Sequence, residues 1–561
     1  MVNSRIVPAS AQPGTTIRRQ KRFILFAFLL LFSLTPEVPA VRRERAVDTW
    51  RPLHYSISIK LNDSLSEISE ARAEIKAVAL KTLTQVDLDF GELILDSVMV
   101  NYQVVKFERR AGSLKLKLPE PQPRESKFNI IVIYHGKPRD GLILTADKDG
   151  KPSAVGDNWP DRVHHWIPCL DHPSAKATIS FKVTAPEQDI VVANGALDRV
   201  ETTARGTRTW SFNEKFPIPP YCMIIAVGQF AKLDGGKPAS VPLSFYVPAA
   251  DRRYATRGFS PAGPALKFFS QTVAPYPYEK LALIIGATRF GGMENSSAIV
   301  FTSTLFDPNP TARLSRTFGT RIGIVDVVAH EIAHQWFGDS VTESTWADLW
   351  LSEGFATYFA ALFIQRFEGE QAFQDYMKQA AETYFRYEQH SKTPIFDRET
   401  EDLLKLLNAN NYQKGAWVLH MLRMTLGDDA FFRGIRGYYD SHKNSTASSE
   451  DLREALEKSS GQNLREFFAR WIYGSGHPHY ELIWKWKKGE LAVTLRQLQT
   501  EPAFPNPVPI EVASTMGKQR FTIHPNGRET VERFQLPSEP VSIDVDPDNT
   551  VLKEISLKTP R

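Results

Sequence analysis

Cysteine is almost missing: Cys169 and Cys222 are the only two in 561 residues. That excludes a disulfide framework and any CxxC zinc ribbon, leaving one pair or two buried free thiols. Long hydrophobic runs are missing too. The longest apolar stretch, FILFAFLLLFSL at 23–34, falls short of the roughly 20 residues a helix needs to cross a bilayer. No internal repeat and no low-complexity tract occurs, which excludes solenoids, propellers and collagen-like chains. An excess of one charge is lacking as well. The formal +4 arises from 68 basic and 64 acidic groups. The first forty residues hold five of the basic ones (Arg5, Arg18, Arg19, Lys21, Arg22) and one acidic one (Glu37), so 63 oppose 63 in the rest. A neutral body has no electrostatic footprint for nucleic acid or anionic lipid.

What is present is ordinary globular material, 42% hydrophobic and 24% charged, enough for three or four domains. RRQKRF, the apolar stretch and TPEVPA make a basic n-region, an h-region and small residues at Val38 and Ala40. This pattern predicts a secretory signal over 1–40, cleaved after Ala40, and hence a secreted or periplasmic protein; a membrane is contacted only if the segment stays uncleaved.

Past residue 48 the pattern has period two. HYSISIKL puts Tyr55, Ile57, Ile59 and Leu61 on one face, and LKLKL (114–118), FNIIVIY (128–134) and ATISFKV (177–183) read as further strands. This predicts a β domain over 41–247. Over 248–475 the apolar spacing turns helical, with a strand at LALIIG. RIGIVDVVAHEIAHQWFG makes about four turns and stops at Gly338, and SSEDLREALEKSSG has a capped start and a glycine end. Strands return over 476–561, opening with a hairpin around Lys488–Gly489. The fold class is multidomain α+β.

The helical part carries H-E-I-A-H. His330 and His334 share a helix face at i and i+4, about 6 Å apart along the axis, so both imidazoles reach one ion. Glu331 then points at a water rather than at the metal. Two histidines on an otherwise apolar helix would be costly without a role. A catalytic zinc takes three protein ligands and keeps one position open. Glu353, with eighteen residues between it and His334, is the third candidate, in the apolar segment WADLWLSEGFATY. Asp326 and Asp348 are the carboxylates in range to orient the zinc histidines.

H-E-x-x-H, eighteen residues, then Glu resembles the gluzincin aminopeptidases, the family of aminopeptidase N and leukotriene hydrolase. F-G-G-M-E-N at 290–295 is similar to that family's G-x-M-E-N exopeptidase motif, and N-N-Y-Q-K-G-A at 410–416 to its catalytic-tyrosine segment. I-P-C-L-D-H-P-S-A-K-A (167–177) and R-W-I-Y-G-S-G-H-P (470–478) extend the likeness to roughly 48–558. It implies an N-terminal β saddle, a thermolysin-like catalytic domain and a small β sandwich. Most members add a large helical domain that closes over the site; 561 residues leave no room for it, which predicts an open site or closure by a partner subunit.

The resemblance further implies one Zn2+ per chain on His330, His334 and Glu353, with Glu331 as general base and acid. Tyr412 becomes the donor to the oxyanion. Glu294 holds the substrate's α-ammonium, and Gly291, Gly292, Met293 and Asn295 complete the substrate-binding segment, the glycines leaving room for substrate backbone. There is a departure. The family's second amine-binding Gln or Glu falls nine residues before the Pro of P-C-x-D-x-P, which is Trp159 here. Asp157, Asn158 or Asp161 substitutes, or Glu294 acts alone. The function expected is a secreted zinc aminopeptidase acting on peptides with a free N-terminus, with no nucleic-acid partner. A zinc endopeptidase, an epoxide hydrolase and a non-catalytic binding protein on the same fold are the alternatives. No feature of the sequence sets the oligomeric state.

Overall fold

The computed structural model describes residues 48–202, 206–307 and 323–558; the proposed signal at 1–40 lies outside them. Among the described residues no helix is long and apolar enough to cross a membrane.

The molecule is multidomain α+β. The period-two segments form an eight-stranded sheet in which Trp50–Leu61 runs antiparallel to Ile68–Ala79 and parallel to Ala177–Pro186. Tyr55, Ile57, Ile59 and Leu61 are all buried, as their alternation requires. A four-stranded and a three-stranded sheet complete this region, which has its own apolar core.

Next comes a five-stranded mixed sheet. Leu243–Val247, Leu281–Gly286 and Ala298–Thr302 run parallel, and the two-residue strand Gly292–Met293 pairs antiparallel on the edge of Ala298–Thr302. Leu281–Gly286 and Ala298–Thr302 are apolar along nearly their whole length because both of their faces are covered. Helices follow: Ile324–His334, Trp350–Glu368, Glu370–Glu388, Gly415–Leu426, Asp428–His442 and Ser449–Ser460. The last has the capping box foreseen in SSED, with Ser448 and Asp451 exchanging hydrogen bonds, and ends at Gly461 in the left-handed region. The His330 helix gives way at Gln335, and the chain turns at Gly338, whose φ of +118° favours glycine.

Two C-terminal sheets, of four and three strands, end the described chain. Lys488 and Gly489 both have positive φ, the left-handed pair of a tight hairpin turn. These strands share the helices' core: Trp471 packs on Phe504 at 4.5 Å.

A third apolar cluster lies between the N-terminal sheets and the helices. It joins Val155, Trp159, Tyr221 and Cys222 to Met293, Trp346 and Leu349. Beside it the partly buried Lys176 donates to Asp339 O (2.7 Å), Ser340 O (2.8 Å) and Thr342 Oγ1 (2.8 Å), in the loop that leaves the His330 helix. The N-terminal region is thus tied to the turn that ends the metal helix. Cys169 and Cys222 are buried and unpaired with each other; the Cys222 thiol donates to Asp339 Oδ1 at 3.2 Å.

Candidate active site

His330 and His334 project from one helix face, and their Nε2 atoms lie 3.0 Å apart. Glu353, from the first turn of Trp350–Glu368, brings Oε2 to 3.2 Å from His330 Nε2 and 3.3 Å from His334 Nε2. The three donors form a nearly equilateral triangle. Zinc–nitrogen and zinc–oxygen bonds of about 2.0–2.2 Å place tetrahedral ligands about 3.3 Å apart, so the triangle has the right size. Charge points the same way. Glu294, Glu331 and Glu353 are buried around the two imidazoles, a concentration of carboxylates that a divalent cation balances. The residues fit a metal ion, and this group is one of two among the described residues with metal-ligand spacing.

Local packing sets each ligand. His334 Nδ1 lies 3.1 Å from Phe337 O and 3.1 Å from Ser352 Oγ, which fixes the ring and turns Nε2 inward. The expected carboxylate, Asp326 or Asp348, does not do this for His334. Asp348 instead takes Ser449 N (2.9 Å) and Oγ (2.7 Å) at the start of a later helix, and Asp326 bonds with Tyr376.

Tyr412 lies in the π-helical turn Asn410–Lys414, a form that recurs at functional sites. Its ring stacks parallel to His330, centroids 6.0 Å apart, and its hydroxyl donates to Glu353 Oε1 at 2.6 Å. Two glycines allow this. A Cβ on Gly354 would sit 3.0 Å from Gly415 Cα, so the Glu353 and Tyr412 segments cross backbone to backbone.

Glu331, Glu294, Gly292 and Met293 border the same cleft as the three ligands and Tyr412; Trp159, Phe290 and Leu407 add an apolar wall. Gly291 and Asn295 are not among the lining residues. Gly291 O accepts Thr302 N at 3.0 Å, and Asn295 Nδ2 donates to Met293 O at 3.3 Å, holding the turn into the next strand. Gly292 has a role that substrate clearance does not describe: a Cβ there would fall on the Glu331 carboxylate. The edge strand is stripped of a side chain so that Glu331 can stand against it.

Burial pushes the Glu331 carboxyl well up, with His334 opposing and Glu294 and Glu353 adding to it. Burial also pushes Glu294 up, to about 7, against the pull of His334.

Gln335 carries no motif but connects the parts. Its Nε2 donates to Glu294 O (2.7 Å) and Asp339 Oδ2 (2.8 Å), while Oε1 accepts Ser297 N (2.8 Å) and Tyr276 OH (3.0 Å). The Glu294 strand is thereby locked to the residue after the second ligand. The one hint in sequence is an amide inside the apolar A-H-Q-W-F. Among the amine-site substitutes, Asp157 is paired with Arg162 (3.0 Å), and Asn158 donates to Met223 O and accepts Trp166 Nε1 (2.8 Å). Asp161 is not a lining residue. Trp159 does border the cleft, its ring edge-on to Phe290 and Trp346.

Comparison with known proteins agrees with this geometry. Residues 51–222 match the peptidase M1 N-terminal domain, and residues 259–471 match the peptidase family M1 domain. The chain is 28% identical over 415 residues to "Probable aminopeptidase 1" of Saccharolobus solfataricus, covering 68% of this chain and 51% of that one. It is 28% identical over 369 residues to "Glutamyl aminopeptidase" of Rattus norvegicus, covering 63% and 38%. It thus spans about half the length, or less, of such curated relatives. Among solved structures, the M1 zinc metallopeptidase from Deinococcus radiodurans superposes with a TM-score of 0.64 at 25% identity, over 77% of this chain and 95% of that one. Matched domain by domain and carrying its metal-binding triad in the matched catalytic domain, this chain belongs to the peptidase M1 family.

Proposed function

We propose that the protein is an exported zinc aminopeptidase that removes single residues from peptides with a free N-terminus. The observation that carries this reading is one cleft holding both the His330–His334–Glu353 set and the buried Glu294 carboxylate. The first calls for hydrolysis, the second for a terminal ammonium.

His330 Nε2, His334 Nε2 and Glu353 Oε2 would hold the zinc. When bound, zinc supplies Lewis acidity, bringing the pKa of a water toward ~7 and polarising a carbonyl. Glu294 takes the substrate's α-ammonium, and the bonds of Gln335 to its strand keep that anchor at a fixed distance from the ligands. Trp159, Phe290 and Leu407 receive the first side chain, so apolar N-terminal residues fit best. Glu331, held against Gly292, accepts the proton of the attacking water and passes it to the departing amine. The Tyr412 hydroxyl turns from Glu353 to the oxyanion that forms at the scissile carbonyl.

The test uses the purified mature chain on matched free and N-acetylated peptides, with and without chelator. Stepwise, chelator-sensitive release of single residues from the free peptides is expected. Internal cleavage of the acetylated set favours the endopeptidase reading. Export is tested separately: an exported chain beginning at Val41 supports cleavage after Ala40, and retention in the cytoplasm refutes it.

A further inference from the structure

A second set of donors lies far along the sequence from the cleft. His477 precedes the strand His479–Lys487, and Glu554 opens the strand Glu554–Lys558 that pairs parallel with it, His479 directly opposite Glu554. His479 Nε2 is 2.8 Å from Glu554 Oε2, and His477 Nε2 is 3.3 Å from the same oxygen. All three donor atoms lie within 4.8 Å of one another.

The surroundings of His477 tie this cluster to the helical region. His477 is buried, its ring stacked on Phe385 at 4.3 Å with Tyr384 edge-on, both from the helix Glu370–Glu388. Its Nδ1 faces Glu388 Oε2 from that helix. A ring that donates Nδ1–H to a carboxylate presents a lone pair at Nε2, the arrangement that orients metal-binding histidines. With that tautomer the Nε2 lone pair faces Glu554 Oε2 at 3.3 Å and a cation between them joins the two; a ring protonated at both nitrogens would instead donate to both carboxylates. The remaining Glu388 oxygen is 3.3 Å from Lys392 Nζ, which also reaches Glu501 at 3.4 Å, so the lysine is engaged away from the three donors.

We propose that His477, His479 and Glu554 form a second divalent-metal site that takes zinc. Two imidazoles and a carboxylate suit that ion. Its place in the fold gives it a role: one ion would join the last described strand to its neighbour and, through His477 and Glu388, to the helix Glu370–Glu388. His479 and Glu554 are about half exposed, so the remaining coordination positions are open to water and the ion exchanges. The proposal does not rest on the peptidase reading.

The test is zinc stoichiometry of the full mature chain at pH 8, by equilibrium dialysis against micromolar Zn2+ and elemental analysis. Two equivalents are expected for the wild type. His479→Ala and the isosteric Glu554→Gln should each hold one and hydrolyse peptides at the wild-type rate. Zinc beyond the first equivalent should raise Tm in the wild type and not in the variants. The same zinc content in the wild type and in His479→Ala would overturn the proposal, whatever the cleft holds. An ion pair without metal gives that result.

Discussion

Two clusters in this molecule have the same donors, two histidines and a glutamate, and differ in nearly everything else. In the cleft, His330 and His334 come from one helix at i and i+4, and all three donors are buried. At the C-terminal sheet, His477 and His479 are two apart at the start of a strand, and two of the three donors reach solvent. Spacing decides how visible each is, and burial decides how firmly each holds an ion. Helical spacing with Glu331 inside it is a pattern a sequence displays. H-P-H is two residues on one face of a strand, and its third donor arrives through strand pairing 75 residues later. Buried carboxylates with no water to solvate them need a cation or a proton; half-exposed ones do not.

The sharpest way to break the comparison is to remove one histidine from each cluster. His334→Ala should lose the cleft's zinc and bring peptide hydrolysis down to background, while His479→Ala leaves kcat/KM unchanged; both are read by elemental analysis and initial rates. Next in size, Glu331→Gln should keep its metal and lose about 10²–10⁴ in kcat, the worth of a positioned acid–base group. Tyr412→Phe should lose about 10²–10³, with KM little changed, as removal of one oxyanion donor does. Gly292→Ala is more subtle. The three atoms nearest the added methyl all belong to Glu331, so kcat should fall about a hundredfold with full zinc content, because misplacing a reacting group by about 1 Å costs that much.

How much of this was legible in advance follows from whether a feature is local. Tyr55 to Leu61 alternate because one face is buried, and Lys488–Gly489 announces a hairpin; both are short-range facts, and both hold in the structure. The metal triad was legible because two of its members lie within one turn of a helix. The orienting groups were not: Phe337 O and Ser352 Oγ serve His334, and a backbone carbonyl leaves no trace in a sequence. The crossing of Gly354 with Gly415 and the seating of Glu331 on Gly292 belong to the same class. Each depends on two segments meeting, and a glycine in isolation does not say what it makes room for. Gln335 has no local signature because three of its four partners, Glu294, Ser297 and Tyr276, lie on other segments.

The smallest effect is expected between the two clusters. Lys414, two residues after Tyr412, is buried with Nζ lacking a hydrogen-bond partner and 5.2 Å from the centroid of the Tyr384 ring, on the helix that carries Glu388. Burial, against the pull of Glu388, lowers it from the ordinary lysine value of 10.5 to about 7. Between those values the unfolded chain holds a proton that the folded one has shed, so stability rises with pH across that window and is lowest at and below 7. Lys414→Met should therefore raise Tm most near pH 6–7, and the gain should shrink toward pH 10. A pH-independent difference would mean that the lysine finds its own counter-charge.

The measurement closest to the account's centre concerns Glu294, the group that separates an aminopeptidase from any other hydrolase built on this triad. We would determine kcat/KM for one peptide with a free and with an acetylated N-terminus, in the wild type and in zinc-loaded Glu294→Gln. A strong preference of the wild type for the free peptide, collapsing in the variant through loss on the free peptide alone, is the expected result. Equal cleavage of both peptides by the wild type would contradict the account and remove Glu294 from the role of amine anchor.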